Sequence, residues 1–250
     1  MTIKPFYILL VLLGISYNSN AQIKSYQAVW QTRNTAAIGV DVTKKWSFSA
    51  QYQVRTLDVL QFSGSYISVG ASYKYNKNWS IETQYRFKTS YLENKNRIRI
   101  GATYSHKLNK LQLSNRLLLQ YSFAYLGTDY AYNNMPSVSL RNRLQAKYPL
   151  STKIDAIVSI EPFLYFSNKG DKVSQVRSIL GINYDIGKKQ SISLFYLTQY
   201  QWKPQQDVLT NAIGITYQKN IDFSKSTKKK KAKKDKTNKV DKTAPILPTP

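Results

Sequence analysis

The chain contains no cysteine, a single histidine (His106), and 13 acidic residues against 37 basic ones in 250 positions. Without cysteine there are no disulfides, thiolate metal sites or thiol catalysis, and one histidine cannot form a multi-histidine metal centre. The sequence also lacks a glycine-rich phosphate loop, a G-x-S-x-G elbow and any clustered carboxylate motif. No cofactor or metal is therefore expected. Long apolar runs are missing as well: Phe6 to Ile15 is ten residues, short of the roughly 20 that a spanning helix needs. Membrane residence, if the chain has it, has to be through strands.

That short run follows Lys4 and leads into polar Ser16 to Asn20, with Ser19 and Ala21 at the small-residue positions before a cut. These are the three parts of a secretory signal, so residues 1–21 are expected to be removed. At the other end, Lys225 to Lys242 holds ten lysines and two aspartates, followed by a proline-rich end. Such a segment cannot bury enough apolar surface to fold, and 224–250 is expected to be a disordered tail. The whole chain carries +24; losing Lys4 leaves +23, and setting aside the tail leaves +15 for residues 22–223.

Between the two ends the pattern alternates with period two. Residues Trp79 to Thr89 read W-S-I-E-T-Q-Y-R-F-K-T, with Trp79, Ile81, Tyr85 and Phe87 on one face and Glu82, Arg86 and Lys88 on the other. A charged face of that kind cannot be the dry core of a soluble sheet. Similar segments are read at 27–33, 36–43, 46–55, 66–75, 79–89, 97–106, 111–123, 138–148, 154–166, 174–185, 190–201 and 209–219. The expected fold is all-β: an antiparallel up-and-down transmembrane β-barrel of about 12 strands, with 10 as the alternative. An even count would put both termini in the periplasm. Pro162 cannot donate to a ladder, so a bulge or a gap in pairing is expected there.

Links alternate in length and in charge. Short ones at Lys44–Lys45, Asn76–Asn78, Lys107–Lys110, Pro149–Lys153 and Gly187–Lys189 each carry lysine, while longer ones at 56–65, 90–96, 124–137, 167–173 and 202–208 carry Asp58, Glu93, Asp129, Asp171 and Asp207. Short periplasmic turns and longer outer loops fit this division. The lysines would meet anionic headgroups, and the acids would sit among lipopolysaccharide phosphates and their divalent cations. With Tyr 20, Phe 9 and Trp 4, aromatics are plentiful, and Trp46, Tyr75, Trp79, Tyr104, Tyr148, Tyr184 and Tyr217 fall toward the short-turn rim. That placement is expected of an interfacial girdle.

Parity turns twelve basic residues inward (Arg33, Arg55, Lys74, Arg86, Lys88, Arg97, Arg99, Arg116, Arg141, Arg143, Lys147, Arg177) against five acids (Asp41, Glu82, Asp155, Glu161, Asp185), a balance of +7. Candidate lumen-lining residues are Glu82, Arg86, Arg97, Arg99, Arg116, Arg141, Arg143, Glu161 and Arg177. If hydrated, they would line a small anion-preferring channel; if paired, they would plug a structural barrel. A lipid-modifying hydrolase is a different-class alternative. It would have to use His106, which lies beside the short Lys107–Lys110 turn, the wrong rim for an outer-leaflet substrate. The chain is read as non-enzymatic. A soluble exported β-sandwich binding protein is the third alternative. Expected partners are outer-membrane lipids and lipopolysaccharide, the barrel-assembly machinery during insertion, and a periplasmic polyanion for the tail, which is otherwise simply solvated. Nucleic acid is not expected, because no aromatics interleave the lysines for base stacking. The protein is expected to be a monomer.

The strand pattern, the inward Glu82 and Arg86 in W-S-I-E-T-Q-Y-R-F, and the inward acid in I-E-P-F-L-Y-F (160–166) resemble the bacterial family catalogued as domain of unknown function 2490. The resemblance covers roughly residues 27–223 and implies an outer-membrane β-barrel with no assigned activity. The leader ending in N-A-Q resembles those of Bacteroidota. Gly214 and Tyr217, with Phe223 as a late aromatic, resemble the final-strand signal read by barrel-assembly machinery. Here, however, 27 residues follow Phe223 instead of a chain end.

Overall fold

The computed structural model describes residues 26–58, 61–90, 94–124, 137–166, 172–203 and 206–224; the leader, the lysine tail from 225 onward, Glu93, Asp129 and Asp171 lie outside the described residues. Eleven strands close into one barrel. They are β1 (Tyr26–Asp41), β2 (Trp46–Leu57), β3 (Gln61–Lys74), β4 (Trp79–Thr89), β5 (Asn94–Leu108), β6 (Leu111–Ala124), β7 (Ser137–Pro149), β8 (Ile154–Phe166), β9 (Lys172–Gly187), β10 (Gln190–Gln201) and β11 (Asp207–Asp222). Each pairs antiparallel with its neighbours in the chain. The exception is the closing seam, where β1 and β11 run parallel from Tyr26↔Asp207 to Asp41↔Asp222.

The turns at one rim are built from their own side chains. In the links 42–45, 75–78 and 150–153 one residue repeats the same device. Thr43 Oγ1 accepts from the backbone N–H of Lys45 and Trp46 (3.1 and 2.9 Å), Asn76 Oδ1 from Asn78 and Trp79 (both 2.8 Å), and Ser151 Oγ from Lys153 and Ile154 (3.3 and 3.1 Å). Short polar side chains that bond the backbone two and three residues on are the general makers of such turns. The two-residue link Lys188–Lys189 has φ of 49° and 62°, the left-handed pair that a tight hairpin with matching twist requires.

Three expectations are corrected. The two segments at 27–33 and 36–43 are one strand, β1, because Asn34 and Thr35 make no turn: both stay in register with β2 as Asn34↔Val54 and Thr35↔Gln53. The count is therefore eleven, neither 12 nor 10. An odd count also puts the two ends of the barrel at opposite rims, because β1 starts beside the start of β11. The expected long link at 56–65 is a hairpin, since β2 and β3 extend to Leu57↔Gln61 with a register shift after Arg55. Closure into a single sheet also replaces the sandwich alternative. Pro162 behaves as expected: the β7–β8 ladder stops at Arg141↔Phe163 and resumes at Leu144↔Ile160.

Polarity is inverted relative to a soluble domain. The buried set is dominated by Arg33, Gln53, Ser68, Arg99, Gln120, Arg141, Glu161 and Gln199, while Ile67, Ile81, Ile100, Leu119, Leu180, Leu194 and Ile213 are exposed on the outer surface. Aromatics gather outside at both rims. Trp46 packs on Tyr73 and Trp79 on Tyr104 at the lysine-bearing rim (centroids 5.0 Å apart in each case). At the other rim Tyr200 packs on Trp202 (5.1 Å) and Tyr121 on Phe123 (5.5 Å), a second girdle that sequence parity had not singled out.

Two of the apolar side chains that turn inward cover glycines. Leu118, opposite Gly101, is buried over it, and Phe195 lies over Gly214; large side chains set over glycine are a recurrent filler of curved sheets. A Cβ at Gly101 would collide with the Leu117 carbonyl oxygen as well as with Leu118. Gly101→Val is therefore expected to destabilise the barrel by about 1–3 kcal/mol through overpacking. The urea midpoint of the refolded protein measures this, and an unchanged midpoint would mean that the interior is loosely filled at this level.

Candidate functional site

Strand parity fixes the site. Every second residue faces inward, so β1, β2, β4, β5, β6, β7 and β9 each deliver at least one arginine to the interior. Three pairs of these arginines are directly opposite each other on adjacent strands: Arg33↔Arg55, Arg86↔Arg97 and Arg116↔Arg143. Like charges in that relation are destabilising unless something between them is negative.

One carboxylate answers part of this charge. Glu161 on β8 is 1% exposed. It accepts from Arg141 Nη2 at 2.8 Å, Arg143 Nη2 at 3.2 Å and Arg177 Nη1 at 3.4 Å, and so ties β7 to β9 across β8. The gap beside Pro162 falls at this acid, so the side-chain bridges span the stretch where the backbone ladder is interrupted. Phe163 supplies an apolar floor, with the Arg141 and Arg177 guanidiniums 4.4 and 5.0 Å from its ring centre.

Glutamines extend the cluster. Arg177 donates from Nε and Nη2 to Gln199 Oε1 (3.1 and 2.8 Å), Gln199 donates on to Gln175 Oε1 (3.1 Å), and Arg141 Nη1 donates to Gln120 Oε1 (3.1 Å). On the opposite wall Arg55 lies 4.1 Å and Arg86 5.7 Å from the Tyr66 ring centre. Arg55 donates to Gln53 Oε1 and Arg86 to Ser68 Oγ (2.8 Å). Another inward acid, Glu82, holds Arg116 at 3.3 Å, and Asp155 holds Lys147 at 2.8 Å.

All nine candidate residues thus face the interior, but they do not form one set. Glu161, Arg141, Arg143 and Arg177 are joined, Glu82 and Arg116 form a separate pair, and Arg86, Arg97 and Arg99 have no carboxylate at ion-pair distance among the described residues. Reading charge alone missed the glutamines and the two rings, although the same parity turns Gln53, Tyr66, Gln120, Phe163, Gln175 and Gln199 inward. His106 is on the outer surface of β5, stacked against Tyr104 with ring centres 6.4 Å apart. Its neighbours Ser105 and Ser114, opposite each other in the register, have the inward parity and so lie on the far side of the sheet from it.

Some outward polar groups are capped by tyrosine. Tyr85 donates its hydroxyl to Asn96 Oδ1 (2.6 Å), Tyr196 to Asn211 Oδ1 (2.8 Å) and Tyr200 to Asp207 Oδ2 (2.7 Å). Such bonds remove polarity from a surface that is otherwise apolar.

Closure, inverted polarity and an arginine-lined interior define the class: an all-β barrel domain that keeps its charge inside. The chain belongs to the family described as protein of unknown function (DUF2490), whose profile it matches over residues 14–210. The match takes in all nine candidate residues and reaches into β11. No curated protein matches the chain.

Proposed function

We propose that the protein is an integral barrel of a bacterial outer membrane whose interior is filled by its own side chains, so that its role is structural. The inversion of polarity carries this reading: a continuous outer surface of exposed leucine, isoleucine and valine between two aromatic girdles is suited to hydrocarbon, and the charges are inside. The interior pairing around Glu161 and the rings of Tyr66 and Phe163 support a plugged lumen over an open one. The excess of arginine favours a second reading, a small conduit that prefers anions.

Lysine occurs in every link at one rim, which supports placing that rim against the anionic headgroups of the periplasmic leaflet. The lysine tail that follows β11 would then start in the periplasm, while β1 would start at the outer side. An odd strand count departs from the even counts of bacterial single-chain barrels; odd counts are the mitochondrial exception.

Three measurements test this. The native protein is expected to fractionate with outer membranes and to show heat-modifiable migration, whereas a soluble periplasmic band would overturn the reading. An epitope placed just before Tyr26 is expected to be accessible on intact cells while one at the carboxyl terminus is protected; the reverse would invert the orientation. In planar bilayers the plugged barrel is expected to give no stable conductance, and anion-selective openings would move the assignment to the conduit.

A further inference from the structure

We propose that the barrel interior binds a small multivalent oxyanion of the phosphate class, held by Arg86, Arg97, Arg99 and Arg141. Arg99 is central to the site. It is 6% exposed, and its Nε and Nη2 have no hydrogen-bond partner among the described residues. Arg86, Arg97, Arg116 and Arg141 are all within electrostatic reach of it. Arg97 Nε and Arg141 Nε are likewise buried without partners. Four neighbouring strands, β4 to β7, therefore turn cationic donors toward one region.

Three inward acids are already in ion pairs: Glu82 with Arg116, Asp155 with Lys147, and Glu161 with Arg143 and Arg177 as well as with Arg141. A buried guanidinium left without an acceptor is costly, and several side by side repel one another. A tetrahedral oxyanion answers both problems. Its oxygens match the forked donors of arginine, and its two or more negative charges offset the excess. A monatomic anion would supply charge without the divergent acceptors. With Gln120, opposite Arg99, already accepting from Arg141, the Arg99 fork is the main free donor.

This inference rests on the plugged reading of the interior, but the two can fail separately, because conductance reports the one and titration the other. The experiment is calorimetric titration of inorganic phosphate into the full-length protein refolded in phosphate-free micelles, with sulfate and chloride in parallel. Saturable binding of phosphate is expected, with a raised urea midpoint. In Arg99→Gln affinity should fall about tenfold or more, the loss expected for one charged hydrogen-bonding group, and phosphate should no longer raise the midpoint. Lys153→Gln, at the lysine-bearing rim, should bind as the unaltered protein does. Arg99→Lys keeps the charge without the fork and should bind more weakly than the unaltered protein, which keeps the test decisive if Arg99→Gln fails to fold. Micelles doped with phosphatidylglycerol form a further arm that separates lipid phosphate from the free anion. Absence of saturable binding at millimolar phosphate would overturn the proposal. So would binding that Arg99→Gln leaves intact and Lys153→Gln abolishes, or a response to the doped micelles alone.

Discussion

Replacing Glu161 by glutamine is expected to destabilise the barrel by about 3–5 kcal/mol, the usual cost of removing one partner from a buried ion pair. The shape of the side chain is preserved, so the loss is electrostatic. Glutamine's oxygen can still accept a bond from Arg141, but three guanidiniums that now share one carboxylate would be left facing each other. The effect should be local at first, since the bridges cross the stretch of β7 and β8 where ladder pairing is interrupted. Urea titration of refolded protein measures it. The double variant Glu161→Gln, Arg143→Gln should recover part of the loss, because it removes a repelling charge along with its partner. If the single variant unfolds at the same urea concentration as the parent, the interior is solvated well enough that the cluster holds nothing together.

A charge on the outer surface should be nearly as damaging, although no interior contact is touched. Leu194 is 53% exposed and sits between Ile182 on β9 and Ile215 on β11. On a soluble protein Leu194→Arg would shift stability by no more than about 0.5 kcal/mol, the ordinary range for surface substitutions. Against hydrocarbon the same change at mid-depth costs about 2–4 kcal/mol, and near the interface about 0–1 kcal/mol. Tyr75→Arg, in the link between β3 and β4, is the shallow counterpart. Folding free energies in lipid vesicles should therefore separate the two variants by about 2 kcal/mol or more. Equal, small effects would remove the physical basis for a membrane-facing belt.

Strand identity and facing were legible because a period of two is a local signal and polarity is written on each face. Trp79 to Thr89 keeps in the structure the bounds and the faces that alternation gives it. Arg33 is inward by the same rule, yet alternation alone breaks its segment between 33 and 36, where the structure runs on as one strand. Asn34 is a common turn residue, and sequence cannot tell an asparagine in a turn from one extended on an outer face. That choice is settled by the neighbouring strand, here by Asn34↔Val54. The even count follows from placing both termini in the periplasm, and the run of β1 through Asn34 makes the count odd. The interior was legible as a list of charges but not as a set of partners. Which arginine meets Glu161 depends on stagger between β7, β8 and β9, which no single strand encodes.

The parallel seam has a bearing on how the barrel is made. Every other strand pair joins neighbours in the chain and can zip from its own turn, whereas Tyr26 must find Asp207 across most of the sequence. Non-local pairing of this kind is slow, because chain closure has to precede any reward from contact. Until β11 docks on β1, both present a long row of unpaired backbone groups that another chain could capture. The interval between completion of the β10–β11 hairpin and docking of β11 on β1 is thus the point at which a second copy competes with the molecule's own first strand.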